Sequence, residues 1–263
     1  LRCGDDRAVL VDTGPDPDLV DASLRRLGVR HLDLVVLTHF HADHVGGLAG
    51  ALRGRAVQRI LVSPLAEPAQ NAVEVQRLAD SLGIPVETAR PRLQGAFAHA
   101  GWSVGWRVLT PFGPWAPPAP PETDDSDVVN ESSVAVAAGV QGPAGAVGVV
   151  LLGDLETQGQ QALAERLAIG ADVLGGPVDV VKVAHHGSAK QHEALYRRID
   201  ARVGLIGVGA GNDYGHPAPS ALAVMRRAGL IVLRTDTSGD LAVAATPDGG
   251  LRLATSRPSG VVA

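Results

Sequence analysis

The sequence predicts an α/β protein built as one four-layer α/β/β/α sandwich, in which two sheets lie inside and helices cover them. Three observations predict this class. Short runs rich in valine and leucine alternate with helical patterns along most of the chain, as in βαβ units. The alternation occurs in two successive halves. With 263 residues, of which 45% are hydrophobic and 19% charged, the chain can bury one large core, so we expect a single domain over residues 1–263.

The first half alternates strands and helices regularly. Apolar runs predict the strands, and apolar residues at helical spacing predict the helices between them. In order, the predicted elements are a strand at 7–12, a helix at 18–27, a strand at 32–38, a helix at 45–52, a strand at 57–62, a helix at 69–82 and a strand at 84–88. Connections through helices make these strands parallel. The first strand lies so close to residue 1 that we expect an earlier strand to be missing.

The second half of the sequence has a less regular pattern of strands and helices. A strand-like stretch at 98–108 precedes a proline-rich segment at 111–127, which we expect to be a surface loop. Strands at 132–138 and 146–152 are predicted to form a hairpin around a Gly/Pro loop at 139–145. The remaining predicted elements are a helix at 155–168, a strand at 178–184, a helix at 191–199, a strand at 203–208, a helix at 218–228 and three short strands up to residue 253.

The composition excludes several kinds of protein. Cys3 is the only cysteine, so the chain forms no internal disulfide and no cysteine-based zinc cluster, and histidine and carboxylate must hold any metal. No run approaches the roughly 18 apolar residues of a membrane span. The net charge of −5 argues against a broad basic surface for nucleic acid. The eight aromatic residues are too few for stacking to be the main means of recognition.

The segment T-H-F-H-A-D-H at 38–44 is the most informative motif. In an extended segment, His39 and His41 point to the same side, and Asp43 and His44 follow where the chain turns into a helix. Such a cluster is costly beside a core unless it is paired or binds metal. Because open α/β folds place their sites at the ends of strands, the motif predicts a metal site.

Other strand ends carry groups of the same kind. Asp154 follows an apolar strand, where a lone aspartate is commonly a helix N-cap, but beside the histidine cluster its two oxygens could bridge two cations. His185 and His186 follow the strand predicted at 178–184. His216 lies after the next strand, either in a simple turn or beside the metal cluster.

The chain has two lysines, Lys182 and Lys190, and both flank the H-H-G-S motif. Their position is either a coincidence or a means of attracting an anionic substrate. The histidines at 31, 99 and 192 lie outside the clusters of candidate metal ligands, and we expect them to be ordinary surface or helix residues.

These motifs occur in the order and spacing of a known family. Asp-Thr-Gly at 12–14, H-x-H-x-D-H at 39–44, Gly-Asp at 153–154 and a later histidine resemble the metallo-β-lactamase fold family over essentially the whole chain. The details are similar to one branch, the extracytoplasmic hydrolase domain of ComEC-type DNA-uptake proteins of naturally competent bacteria. The motifs that carry this second resemblance are N-E-S-S at 130–133, G-D-L-E at 153–156, H-H-G-S at 185–188 and N-D-Y-G-H-P at 212–217.

The sequence departs from the family pattern in two places. The initial V-G-Q-G-D-type segment is absent, and His99 is the only histidine between the H-x-H-x-D-H motif and Gly153. The third ligand of the first metal therefore stays open between a histidine of H-H-G-S, Asn130 and water.

The resemblance implies two divalent metal ions, Zn²⁺ or Mn²⁺, and no small organic cofactor. One ion would be held by His39 and His41, and the other by Asp43, His44 and either His185 or His216, with Asp154 between them. The implied metal ligands are thus His39, His41, Asp43, His44, Asp154 and His185. The implied catalytic residues are Asp43, His186, His216 and Asp12. In this set Asp12 orients a ligand, and His186 or His216 protonates the leaving alkoxide. Substrate binding is expected from Lys182, Ser188, Lys190 and Asn130.

The function implied by the resemblance is hydrolysis of DNA by a binuclear phosphodiesterase that degrades the non-imported strand. The expected partners are DNA, single-stranded by preference, and a transmembrane channel part of the same full-length protein. The chain is then a soluble domain of a cell-membrane protein on the extracytoplasmic side. Two alternatives stay open: a free-standing metallohydrolase of small phosphodiesters, esters or lactones, and a metal-stabilised scaffold that only holds DNA.

Overall fold

The computed structural model describes residues 1–112, 125–170 and 173–257, and its first half forms a five-stranded sheet. The strands are ordered β1-β2-β4-β5, β3 pairs with β2, and all pairs are parallel, which confirms the βαβ units. The elements of this half are β1 (Arg7–Val11), α1 (Pro17–Arg26), β2 (His31–Leu37), α2 (Ala42–Val45), α3 (Leu48–Leu52), β3 (Ala56–Val57), β4 (Ile60–Val62), α4 (Ala69–Ser81) and β5 (Val86–Thr88).

The second half forms a seven-stranded sheet of order β12-β11-β10-β9-β8-β7-β6 and a separate hairpin, β13–β14. Strands β9 to β12 are parallel, and β6 to β9 are antiparallel. The elements are β6 (Gln94–His99), β7 (Trp102–Val108), α5 (Asp125–Glu131), β8 (Val136–Gly142), β9 (Gly145–Leu151), α6 (Thr157–Ile169), β10 (Val180–Lys182), a 3-10 turn (Ala184–Gly187), α7 (Glu193–Ile199), β11 (Val203–Ile206), α8 (Pro219–Arg227), β12 (Ile231–Arg234), α9 (Thr235–Ser238), β13 (Leu241–Ala245) and β14 (Leu251–Thr255).

The two sheets pack face to face. Leu34 and Val36 of β2 lie in one buried cluster with Val104 and Trp106 of β7, while alternate residues of β2 pack against α1, α3 and α4. The outer face of the second sheet is covered by α6, α7 and α8. Hairpin β13–β14 covers the inner face of β9 to β12. The predicted four-layer α/β/β/α sandwich is therefore confirmed.

The helix predicted at 45–52 is interrupted, and its break shapes the site. Helix α2 ends at Val45, and α3 begins only at Leu48. A Cβ atom at Gly46 would lie 2.7 Å from the carbonyl oxygen of Pro15, and one at Gly47 would lie 2.4 Å from that of Thr13. The two glycines therefore let the loop after β1 pack directly on the break, which brings this loop next to the H-x-H-x-D-H motif.

Several other boundaries differ from the prediction. The strand predicted at 57–62 is split into β3 and β4, the stretch at 98–108 belongs to the longer hairpin β6–β7, and the hairpin loop at 139–145 shrinks because β8 and β9 pair up to Gly142 and Gly145. Of the expected loop at 111–127, residues 113–124 lie outside the described residues, and 125–127 are helical, not loop. The extent of the domain, residues 1–263, stays a prediction. No helix in the described ranges is both long and apolar enough to cross a membrane.

Candidate metal centre

The side chains that follow β2, β9, β10 and β11 come together in one polar cluster. Strands β9, β10 and β11 are parallel neighbours, so their carboxyl ends lie at the same edge of the second sheet. Backbone hydrogen bonds join the segments: Val134 N–H donates to Thr38 O at 2.8 Å, and His185 N–H donates to Gly153 O at 3.1 Å. The sandwich thus places groups from four distant parts of the sequence at one point.

Four side chains from three of these segments converge most closely. The ligand atoms of Asp43, His44, Asp154 and His186 all lie within 4.8 Å of one another. His186 Nε2 is 3.2 Å from both Asp43 Oδ2 and Asp154 Oδ2, and His44 Nε2 is 3.2 Å from Asp154 Oδ2. Two carboxylates and two imidazoles in this arrangement are a donor set that suits Zn²⁺ or Mn²⁺.

The hydrogen bonds behind this cluster aim free nitrogen lone pairs into it. His186 Nδ1 lies 2.7 Å from the carbonyl oxygen of Gly207, which can only accept, so Nδ1 carries the hydrogen. His44 Nδ1 is likewise 2.8 Å from Asp12 Oδ2. In the neutral rings, Nε2 is then the free ligand atom, as in metal sites with oriented histidines.

Burial without a partner gives an independent test of whether these residues fit a metal. His44 Nε2, His186 Nε2 and Asp154 Oδ1 are buried and make no well-formed hydrogen bond with any part of the chain that the structure describes. Buried polar atoms without a well-formed hydrogen bond are costly, and these three face the same cluster, where their oppositely charged neighbours lie 3.2–3.7 Å away. A divalent ion would satisfy all three, so the residues fit a metal centre.

His39 and His41 form a second pair beside the first cluster. His39 Nε2 lies 3.0 Å from His41 Nδ1, close to the spacing of about 3.3 Å between two nitrogens that share one tetrahedral zinc. The opposite nitrogen of His39 faces the hydroxyls of Thr38 and Ser133 at 3.1 and 3.4 Å. The ring of His39 lies 4.0 Å, centroid to centroid, from that of His44. The pair therefore adjoins the four-residue cluster.

The charges of the metal-free cluster are balanced internally. Burial disfavours charge on His44, but Asp12 and Asp154 outweigh it and hold the pKa of His44 well above its ordinary value. Burial opposes the charge of His186 in the same way, but Asp154 and Asp43 raise its pKa to about 9. Burial and the neighbouring His44 lower the pKa of His39 to about 3. A metal ion would therefore displace protons from His44 and His186.

Asp12 and Thr38 hold the ring of His44 from behind. Asp12 Oδ1 accepts from Thr38 N–H at 2.8 Å, and Asp12 Oδ2 accepts from the Thr38 hydroxyl at 2.9 Å as well as facing His44. Thr38, which is fully buried, was not singled out as functional from the sequence. Its place immediately before the H-x-H-x-D-H motif was the available signal.

Gly153 fixes the position of Asp154. Its φ is +56°, and a Cβ atom there would lie 2.9 Å from Ser133 Cβ and 3.0 Å from Thr38 Cβ. Ser133 Oγ accepts a hydrogen bond from Asp154 N–H at 3.0 Å. The Gly-Asp pair of the sequence is therefore a tight left-handed turn that only glycine can make.

His185 and His186 point to different partners. Both have left-handed backbones, with φ of 47° and 49°, which costs about 1–3 kcal/mol per residue and is typical of functional sites. His185 Nδ1 lies 3.2 Å from Glu156 Oε1, and its Nε2 is 3.9 Å from Asp154 Oδ2. This placement differs from the expectation, in which His185 was a metal ligand and His186 an acid. His216 packs against His185 with ring centroids 5.5 Å apart.

The four residues expected to bind substrate already have partners within the protein or are buried. Lys182 Nζ donates to Gly153 O at 3.0 Å and lies 3.7 Å from Asp154 Oδ1. Lys190 pairs with Asp127 and Glu156 at 2.6 and 2.7 Å. Ser188 and Asn130 are buried. Substrate binding by these four residues stays a prediction.

Glu156 is a residue of the site that the sequence reasoning did not assign. It is buried, and its carboxylate contacts His185, Lys190 and the amide of Asn130, which donates to Oε1 at 3.2 Å. Its place in the G-D-L-E motif, two residues after Asp154, was the signal that could have found it.

The fold and this cluster define a class of protein. The chain belongs to the metallo-β-lactamase superfamily, whose family model matches residues 1–206. The fold of this superfamily is that of metal-dependent hydrolases. The matched region ends with β11 and includes every residue of the four-residue cluster.

Among known proteins, the chain is similar to two competence proteins. It is 27% identical over 217 residues to ComE operon protein 3 of Bacillus subtilis strain 168, which covers 81% of this chain and 25% of the relative. It is 25% identical over 246 residues to competence protein ComA of Neisseria gonorrhoeae, which covers 89% of this chain and 29% of that relative. The chain therefore spans about a quarter of the length of these curated relatives.

A solved structure shares the fold. Tm1679, described as a metal-dependent hydrolase of the β-lactamase superfamily, matches with a TM-score of 0.50 and 14% identity, over 86% of this chain and 85% of that one. At this identity the likeness concerns the fold alone.

Proposed function

We propose that the chain is a binuclear metal-dependent phosphodiesterase that hydrolyses DNA. The observation that carries this proposal is the set of buried ligand atoms on His44, His186 and Asp154 that make no well-formed hydrogen bond, next to the paired nitrogens of His39 and His41. Two clusters side by side suit two ions. Divalent ions at this position would lower the pKa of a bound water and neutralise the phosphoryl oxygens.

The protein's own residues have separate roles in this proposal. His39 and His41 would hold one ion, and Asp43, His44 and His186 would hold the other, with Asp154 available to both. Asp12 and the carbonyl of Gly207 keep two of the rings in the tautomer that ligates. His185 and His216, which pack against each other and are not among the proposed ligands, would be the residues that protonate the leaving alkoxide.

The choice of DNA as substrate is supported by the two competence proteins that the chain resembles. We infer that the chain is a soluble extracytoplasmic part of a longer membrane protein, that single-stranded DNA reaches it, and that it degrades the strand that is not imported. The cluster is open to solvent on the side of Asp43 and His186, whose side chains are 53% and 25% exposed, while His44 and Asp154 are buried.

The proposal is tested by metal-dependent hydrolysis of three substrates: single-stranded DNA, the corresponding duplex and bis(p-nitrophenyl) phosphate. We expect turnover of DNA only after reconstitution with Zn²⁺ or Mn²⁺, and a loss of at least about 100-fold in Asp154→Ala. Asp240→Ala is the matched control, because Asp240 is an exposed carboxylate paired with Arg26.

Other outcomes would identify the alternatives. Turnover of small esters or lactones without any phosphodiester would favour a free-standing hydrolase of those compounds. Metal loading and DNA binding without turnover of any substrate would favour a scaffold. Failure to load metal would refute the site itself.

A further inference from the structure

The loop after β11 is anchored at both ends to the metal centre. At its start, the carbonyl of Gly207 accepts from His186 Nδ1 at 2.7 Å. At its end, the ring of His216 packs against that of His185. Between them, Asn212 closes the loop: its Nδ2 donates to His216 O at 2.7 Å, and its Oδ1 accepts from His216 N–H at 3.0 Å. The loop is thus held in a fixed position relative to the metal ligands.

Tyr214 lies on this loop with its ring in solvent. Its exposure is 85%, and no other Phe, Tyr or Trp in the described residues is exposed. The ring lies beside that of His216 in a roughly parallel, offset arrangement, with centroids 6.1 Å apart and planes at 28°. The other tyrosine, Tyr196, is fully buried. An exposed apolar residue alone is ordinary. This ring, however, lies beside His216, the ring of His216 packs against His185, and His185 Nε2 is 3.9 Å from Asp154 Oδ2.

We propose that Tyr214 is a stacking platform for one unpaired nucleobase of the strand whose phosphodiester is bound at the metal centre. This inference rests on the proposed function and narrows its substrate class to strands with an accessible base, that is, single strands or frayed ends. In duplex DNA the base faces are already stacked on their neighbours, so the ring has no face to bind. His216 flanks the Tyr214 ring, and the 85% exposure of Tyr214 leaves a face of that ring free for the base.

A single platform agrees with the scarcity of aromatic residues. Eight aromatic residues are too few for a groove that stacks successive bases, but one ring suffices to select one base beside a metal-bound phosphate. Base–aromatic stacking contributes about 1–3 kcal/mol per base and tolerates every base. The platform therefore selects for single-strandedness and not for sequence.

The test compares oligothymidylate with an abasic strand of the same length, both single-stranded, using the metal-loaded 263-residue chain. We expect kcat/KM to favour the base-containing strand by about 5-fold to 150-fold in the unmodified protein. Tyr214→Ala should bring this ratio close to one, whereas Tyr214→Phe, which keeps the ring, should retain it. Ile169→Ala is the control, because Ile169 is an equally exposed apolar residue on α6.

A binding measurement separates stacking from turnover. A hydrolysis-resistant phosphorothioate strand containing 2-aminopurine should lose fluorescence on binding to the unmodified chain and to Tyr214→Phe, but not to Tyr214→Ala. Equal kcat/KM for both strands, or a ratio unchanged by Tyr214→Ala, would refute the platform while leaving the phosphodiesterase in place. Absence of any phosphodiester turnover by the unmodified chain would instead refute the proposed function.

Discussion

The choice between His185 and His186 as metal ligand can be decided by metal-linked stability. Ions that bind only the folded chain raise the free energy of unfolding by about 2.7 kcal/mol per site at a hundredfold excess over Kd. His186 Nε2 lies 3.2 Å from two carboxylate oxygens, whereas His185 Nε2 is 3.9 Å from one and its other nitrogen faces Glu156. We therefore expect His186→Ala to weaken the binding of one ion and His185→Ala to leave the binding of both ions unchanged.

The expected loss of metal-linked stability follows from the effect of removing a ligand on metal affinity. Loss of a partner that only orients a ligand weakens metal binding about 10-fold to 100-fold, so loss of the ligand itself should reach at least the upper value. At the same metal concentration, a hundredfold weaker site retains about 0.4 kcal/mol of its stabilisation and loses about 2.3. For a chain of this size that is a shift in Tm of about 5–9 °C.

The assay is thermal unfolding of each variant, first with chelator and then with Zn²⁺ or Mn²⁺, together with elemental analysis of the loaded protein. The difference between the two Tm values of one variant removes the packing effect of the substitution. A metal-linked shift that is lost in His185→Ala and kept in His186→Ala would refute the assignment.

Three other predictions concern the surroundings of the site and the fold. Asp12→Asn should weaken metal binding about 10-fold to 100-fold, because the carboxylate that faces His44 Nδ1 is lost; a competing chelator measures this. Asp21 is buried against three arginines, and the nearest of them lower its pKa. In urea unfolding at several pH values, Asp21→Asn should therefore be less stable than the unmodified chain above about pH 5. The difference should begin to shrink near pH 3.9, where Asp21 of the unfolded chain titrates, and be lost only below the lowered pKa of the folded chain. Gly50→Ala should cost about 3 kcal/mol in the same assay, because its Cβ would lie 1.7 Å from a backbone oxygen of α1, whereas Gly105→Ala meets nothing within 4 Å and should cost far less.

Much of the fold could be predicted because hydrophobic pattern and chain order determine it. The runs at 32–38 and 203–208 correspond to β2 and β11, and the helices between strands make the pairs parallel. The interruption between α2 and α3 could not be predicted, because its cause is the loop after β1, whose residues Pro15 and Thr13 approach Gly46 and Gly47 from much earlier in the chain.

The candidate site divides in the same way. Four of the candidate ligands fall within six residues of sequence, so their spacing alone predicts that their side chains lie close together. They are His39, His41, Asp43 and His44. The partners of His185 and His186 depend on the left-handed backbone of these two consecutive residues. The local sequence does not predict this conformation, which depends on the rest of the fold. The role of Glu156 could not be predicted, because its partners Lys190 and Asn130 lie far away in sequence and contact it only in the folded chain.

The net charge of −5 is compatible with a polyanionic substrate because the charges that meet the phosphate are local. Without metal, the carboxylates of Asp12, Asp43 and Asp154 are balanced by protonated His44 and His186 and by Lys182. In the proposed function, two divalent ions would bring four positive charges and displace the two imidazolium protons, so the loaded site would become positive. Attraction of the phosphodiester would then be local to the metal centre, and the proposed stacking on Tyr214 would add a contribution that salt does not screen. DNA binding should therefore require metal yet depend only weakly on salt, unlike binding through a broad basic surface.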